Sequence, residues 1–303
     1  VPYQIDRPDE PVADALRRIA RKELSSAAAA GRAAGTTAAA GVETAANIHT
    51  MRKAIKKTRA LLRLVRGHAD EAAAINARLR DIGRSISASR DAHVLPATAA
   101  LLAATADAPV AALLSRAAET FARTRTARSS PAAVADAAVQ LADLAGGTAG
   151  WRIRGKGFSA LSGGLEHTLA RVRAAASLCT DAPEADHDPE AVHAWRKRVK
   201  DHWYHARLLT PIWPALMRPH AVAAGQVGEG LGLHQDIHVL ITRLDQTGLT
   251  PGEVDGVRAH ALAEVARHRS VAETLAARVF ADRPSALADR WGTWWQLWRK
   301  GQG

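Results

Sequence analysis

A chain of 303 residues, 47% apolar and 23% charged, has the composition of a globular protein with a large core, which excludes the disordered and fibrous classes. Its 41 Lys and Arg against 30 Asp and Glu give a net charge of +11, a field that draws polyanions of any kind to the surface. Cys179 is the only cysteine, so neither an intrachain disulfide nor a cysteine-based zinc site is available, and no run reaches the roughly 18 apolar residues of a membrane span. Together with an opening segment, "VPYQIDRPDEP", that lacks the apolar stretch of a signal peptide, this leads us to expect a soluble, cytoplasmic protein.

Alanine is abundant, aromatics are only 4%, and no stretch of useful length alternates with the period of a strand, so the chain is expected to be all-α. "PDEPVADALRRIARKELSSAAAA" begins with proline and acidic residues and continues in good helix formers, predicting the first helix. The "GRAAGTTAAAG" that follows either prolongs it or forms a loose connection. Long helical patterns are then expected over about 42–67 and 70–95, the second stopped by Pro96, with shorter ones up to "AGGTAG" at 145–150, the best boundary between two halves, 1–147 and 148–303. Beyond the "WRIRGKGF" loop, which suits either a solvated linker or a basic flap, helices are expected over about 159–178, 215–246, 251–281 and 284–300. An acidic loop places Asp188 and Pro189 as N-cap and first residue of a further helix starting near 189.

The chain repeats itself. A shift of 144 lays "IHTMRKAIKKTRALLRL" on "VHAWRKRVKDHWYHARL", so that His49, Arg52, Lys53, Lys56 and Arg63 meet His193, Arg196, Lys197, Lys200 and Arg207. A shift of 145 then lays "IGRSISASRDAHVL" on "VGEGLGLHQDIHVL", matching Gly83, Asp91 and His93 with Gly228, Asp236 and His238. Two blocks in the same order at nearly the same offset indicate a tandem duplication.

At about 100° per residue, His49, Arg52, Lys53, Lys56, Arg59 and Arg63 share roughly half of one helix surface, with Ile48, Met51, Ile55 and Leu62 on an adjoining face. The second copy repeats this with His193, Arg196, Lys197, Lys200, Tyr204 and Arg207. A merely solvated face would mix signs at i, i+4, whereas each stripe carries no acid of its own, and Asp201 and Lys57 lie at its edges. Cations about 5–6 Å apart along roughly 20 Å of helix suit a flexible, densely charged polymer. Single-strand nucleic-acid binders add aromatic platforms for the bases. These stripes offer only Tyr204, with Trp203 at the margin, so inorganic polyphosphate fits better than RNA or DNA.

The doubled His-x-x-Arg-Lys-x-x-Lys pattern, followed in each half by "RDAHVL" or "QDIHVL", resembles the CHAD family, the conserved histidine α-helical domain. The resemblance implies two tandem pseudo-symmetric helical bundles of about four main helices each around a shared basic cavity, non-enzymatic binding of inorganic polyphosphate there, and an association with polyphosphate granules or granule enzymes. It implies no cofactor. His49, Arg52, Lys53, Lys56, His193, Arg196, Lys197 and Lys200 match the core motif, and Arg59, Arg63, Tyr204 and Arg207 extend it. Arg17, Arg18, Arg21 and Lys22 in the first half and Arg171 and Arg173 in the second are additional candidates for phosphate contacts. The rival readings are an enzyme or regulatory subunit of polyphosphate or nucleotide metabolism, and a sequence-nonspecific nucleic-acid-binding protein. No metal site is expected, because His49 and His193 sit among cations rather than ligands. The C-terminal stripe Trp291, Trp294, Trp295 and Trp298, at i, i+3, i+4, i+7, is expected to dock the last helix on the core. The sequence does not set the oligomeric state.

Overall fold

The computed structural model of the chain describes residues 3–36, 42–86, 91–123, 130–180 and 189–301. Among them are eleven α-helices: α1 (Val12–Thr36), α2 (Val42–Leu64), α3 (Ala72–Ser85), α4 (Asp91–Ala103), α5 (Ala108–Arg123), α6 (Pro131–Gly147), α7 (Ser159–Thr180), α8 (Pro189–Leu208), α9 (Pro214–Ile241), α10 (Pro251–Val279) and α11 (Pro284–Arg299). The architecture is all-α, and the two motif stripes occupy α2 and α8.

The duplication reappears in the packing. Within the first half α1 packs on α2 and α6, α2 on α3, and α4 on α5. Within the second, α7 packs on α8 and α11, α8 on α9, and α9 on α10. Between halves, α2 packs on α8, α4 on α9 and α5 on α10, equivalent elements in the pattern of a pseudo-twofold, and α2 packs on α7 as well. Where the second copy has the single long helix α9, the first has two, α3 and α4. The intervening "SASR" and the acidic loop containing Asp188 lie outside the described residues.

Two apolar cores result, and both draw on both halves. The larger gathers residues such as Leu16, Leu24, Met51, Leu61, Leu165, Trp195 and Trp291, and the smaller joins Leu102 of α4 and Leu114 of α5 to Ile237, Leu240 and Val257 of α9 and α10. The tryptophan stripe does what its spacing predicts. Trp291 and Trp295 are buried, Phe158 meets the Trp295 ring at 6.0 Å, and Trp294 stands edge-on to Trp213 at 5.1 Å, so α11 is fastened to α7 and the turn before α9.

Several local expectations change. The alanine-rich stretch after residue 30 continues α1 as far as Thr36. Pro96 does not stop a helix but sits inside α4. It removes one intrahelical hydrogen bond, at a cost of about 3 kcal/mol, which burial of Ala99 and Leu102 in the smaller core opposes. The "WRIRGKGF" segment keeps Arg152, Arg154 and Lys156 exposed, as a solvated linker would, but it is tethered. Ile153 forms a bridge with Ala69, the Arg154 N–H donates to the His68 carbonyl at 2.6 Å, and the Arg154 guanidinium pairs with Asp70. The loop between halves is thereby tied to the turn that follows α2.

Candidate functional site

The motif helices meet near their C-terminal ends. His205 donates from Nε2 to the Ala60 carbonyl at 2.9 Å, and Arg63 pairs with Asp201 at 2.6 Å. Because residue 60 faces 205 while 63 faces 201, the helices pass in opposite senses, and their heads, His49 and His193, lie on opposite sides of the crossing. Tyr3 braces the same crossing, donating to the Lys57 carbonyl at 2.9 Å and standing edge-on to Tyr204.

On α2, His49, Lys53 and Lys56 are exposed, and Arg52, Arg59 and Arg63 are half-buried. Arg59 donates to Asn76 Oδ1 at 3.0 Å, and burial, with Arg63 beside it, pushes its guanidinium down to about 10. On α8, Lys197 is exposed while His193, Arg196, Lys200 and Arg207 are half-buried, because this stripe lies down along α9. α9 can accept it because it carries glycine at the contacts. A Cβ on Gly232 would stand 2.8 Å from the Arg196 guanidinium, and one on Gly228 would stand 2.9 Å from Lys200 Cε. Arg196 Nε donates to the Gly228 carbonyl at 3.3 Å, and Lys200 Nζ and Arg207 Cζ lie 4.4 and 4.8 Å from the Trp203 ring centre. Burial lowers the Lys200 pKa, opposed by Glu229 and assisted by Arg196 and Arg207. Tyr204 is buried in the core, and that burial raises its phenol to about 12.

The additional candidates divide. Arg17 holds the Trp151 carbonyl at 2.7 Å and Asp14 at 2.8 Å, Arg18 is paired with Glu10 and Asp6, and Arg173 donates to the Phe280 and Ala281 carbonyls at the end of α10. All three tie elements together. Arg21 and Lys22 are exposed on α1, and Arg171 faces a pocket.

That pocket, about 330 Å³, lies between α2, α3, α7 and α8 and is walled by Arg63, Arg66, His167, Arg171 and Arg198. Arg66, His167 and Arg198 were not among the sequence candidates, although Arg66 prolongs the row of Arg59 and Arg63, and His167 with Arg171 forms an i, i+4 pair. Asp201 explains how two of the arginines coexist. It is 8% exposed and pairs with Arg63 of the other half at 2.6 Å and with Arg198 at 3.2 Å. An acid at the edge of one stripe thus neutralises a cation of the opposite stripe, a relation invisible along either helix alone.

These helices approach closely because α7 carries Gly164 at the contact. A Cβ there would stand 1.8 Å from the Leu64 carbonyl oxygen. Behind α8, His202 and His220 share one hydrogen bond, Nε2 to Nε2 at 2.8 Å, and His202 also contacts Phe280 and Trp291. Burial drives His202, His205 and His220 toward the neutral form, His202 well below its usual value and His205 and His220 down to about 4. In the unfolded chain histidine titrates near 6.5, so between about pH 6.5 and 4 the unfolded state takes up protons that the folded state refuses. Stability is therefore expected to fall on acidification by about 1.4 kcal/mol per pH unit for each such histidine. Guanidinium unfolding midpoints at pH 7.5 and 5.0 check this: the midpoint should drop markedly at pH 5.0, and equal midpoints would refute it.

The model of the CHAD domain family matches residues 26–245 of this chain. The chain belongs to the CHAD family. A CHAD domain crystal structure from the plant Ricinus communis superposes with a TM-score of 0.64 at 20% identity, covering 92% of this chain and 95% of that one, and so shares the fold. No curated protein matches the chain. The CHAD match spans both motif helices, and the fold match extends over most of the remainder. Among the described residues no helix is long and apolar enough to cross a membrane, and no three His, Cys, Asp or Glu side chains converge as metal ligands would.

Proposed function

We propose that this CHAD protein is a non-enzymatic module that captures inorganic polyphosphate along the basic stripes of α2 and α8, and that such binding directs it to polyphosphate granules. The observation that carries the reading is the repetition of the cationic motif on two helices that cross in contact. Lys53 and Lys197, at equivalent positions, are both exposed and form no ion pair among the described residues. The stripes extend about 10 Å and more from the crossing on either side, so a flexible polyanion that follows one reaches the other. Each cation displaces counterions from the polymer, and the cations cease to repel one another once phosphates lie between them.

Because the motif heads lie on opposite sides of the crossing, affinity is expected to rise with chain length until one polymer engages both stripes. Titration with long-chain polyphosphate, inorganic triphosphate and single-stranded RNA at one salt concentration, with phosphate release followed in parallel, tests this. The reading requires tight binding of the long polymer, weak binding of triphosphate at the stripes and no phosphate release. Preference for RNA would favour a nucleic-acid-binding protein, and turnover would favour an enzyme.

A further inference from the structure

We propose that the arginine pocket between α2, α3, α7 and α8 is a discrete second site that takes a small organic di- or triphosphate. The inference does not rest on polyphosphate binding at the stripes, although Arg63 borders both. No carboxylate lines the pocket. Asp201 is committed to Arg63 and Arg198, Arg66 donates to His167 Nε2 at 2.5 Å, and Arg171 forms no ion pair among the described residues. Partial burial, then Arg66 and Arg171, lower the His167 pKa, which favours the neutral ring that accepts from Arg66. Four guanidinium groups thus share a single carboxylate, a surplus of three positive charges around one cavity.

The chemistry of the walls narrows the ligand. The cations are all arginine, whose planar fork matches two oxygens of a phosphoryl group, whereas lysine supplies only a point charge. The lining also has an apolar part, made by Leu62 of α2 with Ala72 and Ala73 of α3. Inorganic polyphosphate has nothing to place there, but the ring or chain of a phosphate ester does. With Oδ1 of Asn76 accepting from Arg59, its amide nitrogen is available as a donor in the same lining. A volume of about 330 Å³ holds a compact ligand rather than a polymer. The Ile153–Ala69 bridge and the Arg154 link to His68 hold the turn carrying Gly67 and Ala69, which line the pocket.

Calorimetric titration of the full chain with metal-free ATP, inorganic triphosphate and adenosine tests the assignment, using ATP as the probe. The wild type should bind one ATP, with inorganic triphosphate at least tenfold weaker and adenosine weaker still. Arg66→Ala/Arg171→Ala, at two exposed positions, should weaken ATP at least tenfold while keeping the wild-type thermal midpoint. Lys53→Ala/Lys197→Ala should leave ATP affinity within twofold. Absence of ATP binding, ATP binding unaffected by Arg66→Ala/Arg171→Ala, or triphosphate binding as tightly as ATP would each overturn the proposal. Failure of the stripe reading would instead appear as absent binding of long-chain polyphosphate, whatever ATP does.

Discussion

Gly164→Ala is expected to destabilise the protein by about 3 kcal/mol or more, the upper range for a side chain forced into filled space. The added Cβ would stand 1.8 Å from the Leu64 carbonyl oxygen and 2.7 Å from its Cα, and backbone cannot swing aside as a flexible side chain can. α7 would have to withdraw from the end of α2, opening the core around Leu61, Leu64, Leu161 and Leu165. The neighbouring glycine is the internal control. Gly163 lies in the same helix with open space where its Cβ would go, so Gly163→Ala should stabilise by about 0.5–1 kcal/mol through helix propensity alone. Denaturant unfolding of the two variants checks the pair of signs. A Gly164→Ala variant as stable as the wild type would mean that α2 and α7 do not meet in this register.

Asp201→Ala is expected to cost about 3–5 kcal/mol, the range for removing one partner of a buried ion pair. Asp201 is 8% exposed, and both arginines it serves, Arg63 and Arg198, are three-quarters or more buried. Without it these two cations face each other with Arg59 and Arg66 nearby and no acid among them. The penalty should shrink in sulfate relative to chloride, because a bound dianion can replace the missing charge, and it should shrink when Arg198→Leu is added, because one uncompensated cation is removed. Thermal midpoints of the single and double variants in the two salts provide the measurement. An unchanged midpoint for Asp201→Ala, or no effect of sulfate, would show that the pair contributes little.

Much of this molecule can be read along the chain because its information is periodic. The helices, the duplicated motif and the tryptophan stripe all declare themselves through spacings of three and four residues, and their repetition in two halves points to equivalent packing. What could not be read is what depends on juxtaposition. Arg63, Arg66, His167, Arg171 and Arg198 come from three stretches spread over more than a hundred residues, and only the contact of α2 with α7 and α8 makes them one wall. Asp201 looks peripheral on a helical wheel, yet its partner belongs to the other half. Tyr204 lies on the cationic stripe by angle, but at the helix crossing that angle points into the core against Tyr3. The helix through Pro96 was hidden for a related reason: local preference favours a break, and burial of the turn beyond it opposes that preference.

The central claim, that cations repeated on α2 and α8 capture a phosphate polymer, is tested most directly by the salt dependence of long-chain polyphosphate binding in the wild type and in Lys53→Ala/Lys56→Ala/Lys197→Ala. All three lysines are exposed, so their loss removes charge without opening the core. By analogy with single-stranded nucleic acids, each lost contact lowers the slope of log affinity against log salt by about 0.7, so the triple variant should bind at least tenfold more weakly with a slope shallower by about two. Wild-type affinity and slope in that variant would contradict the account.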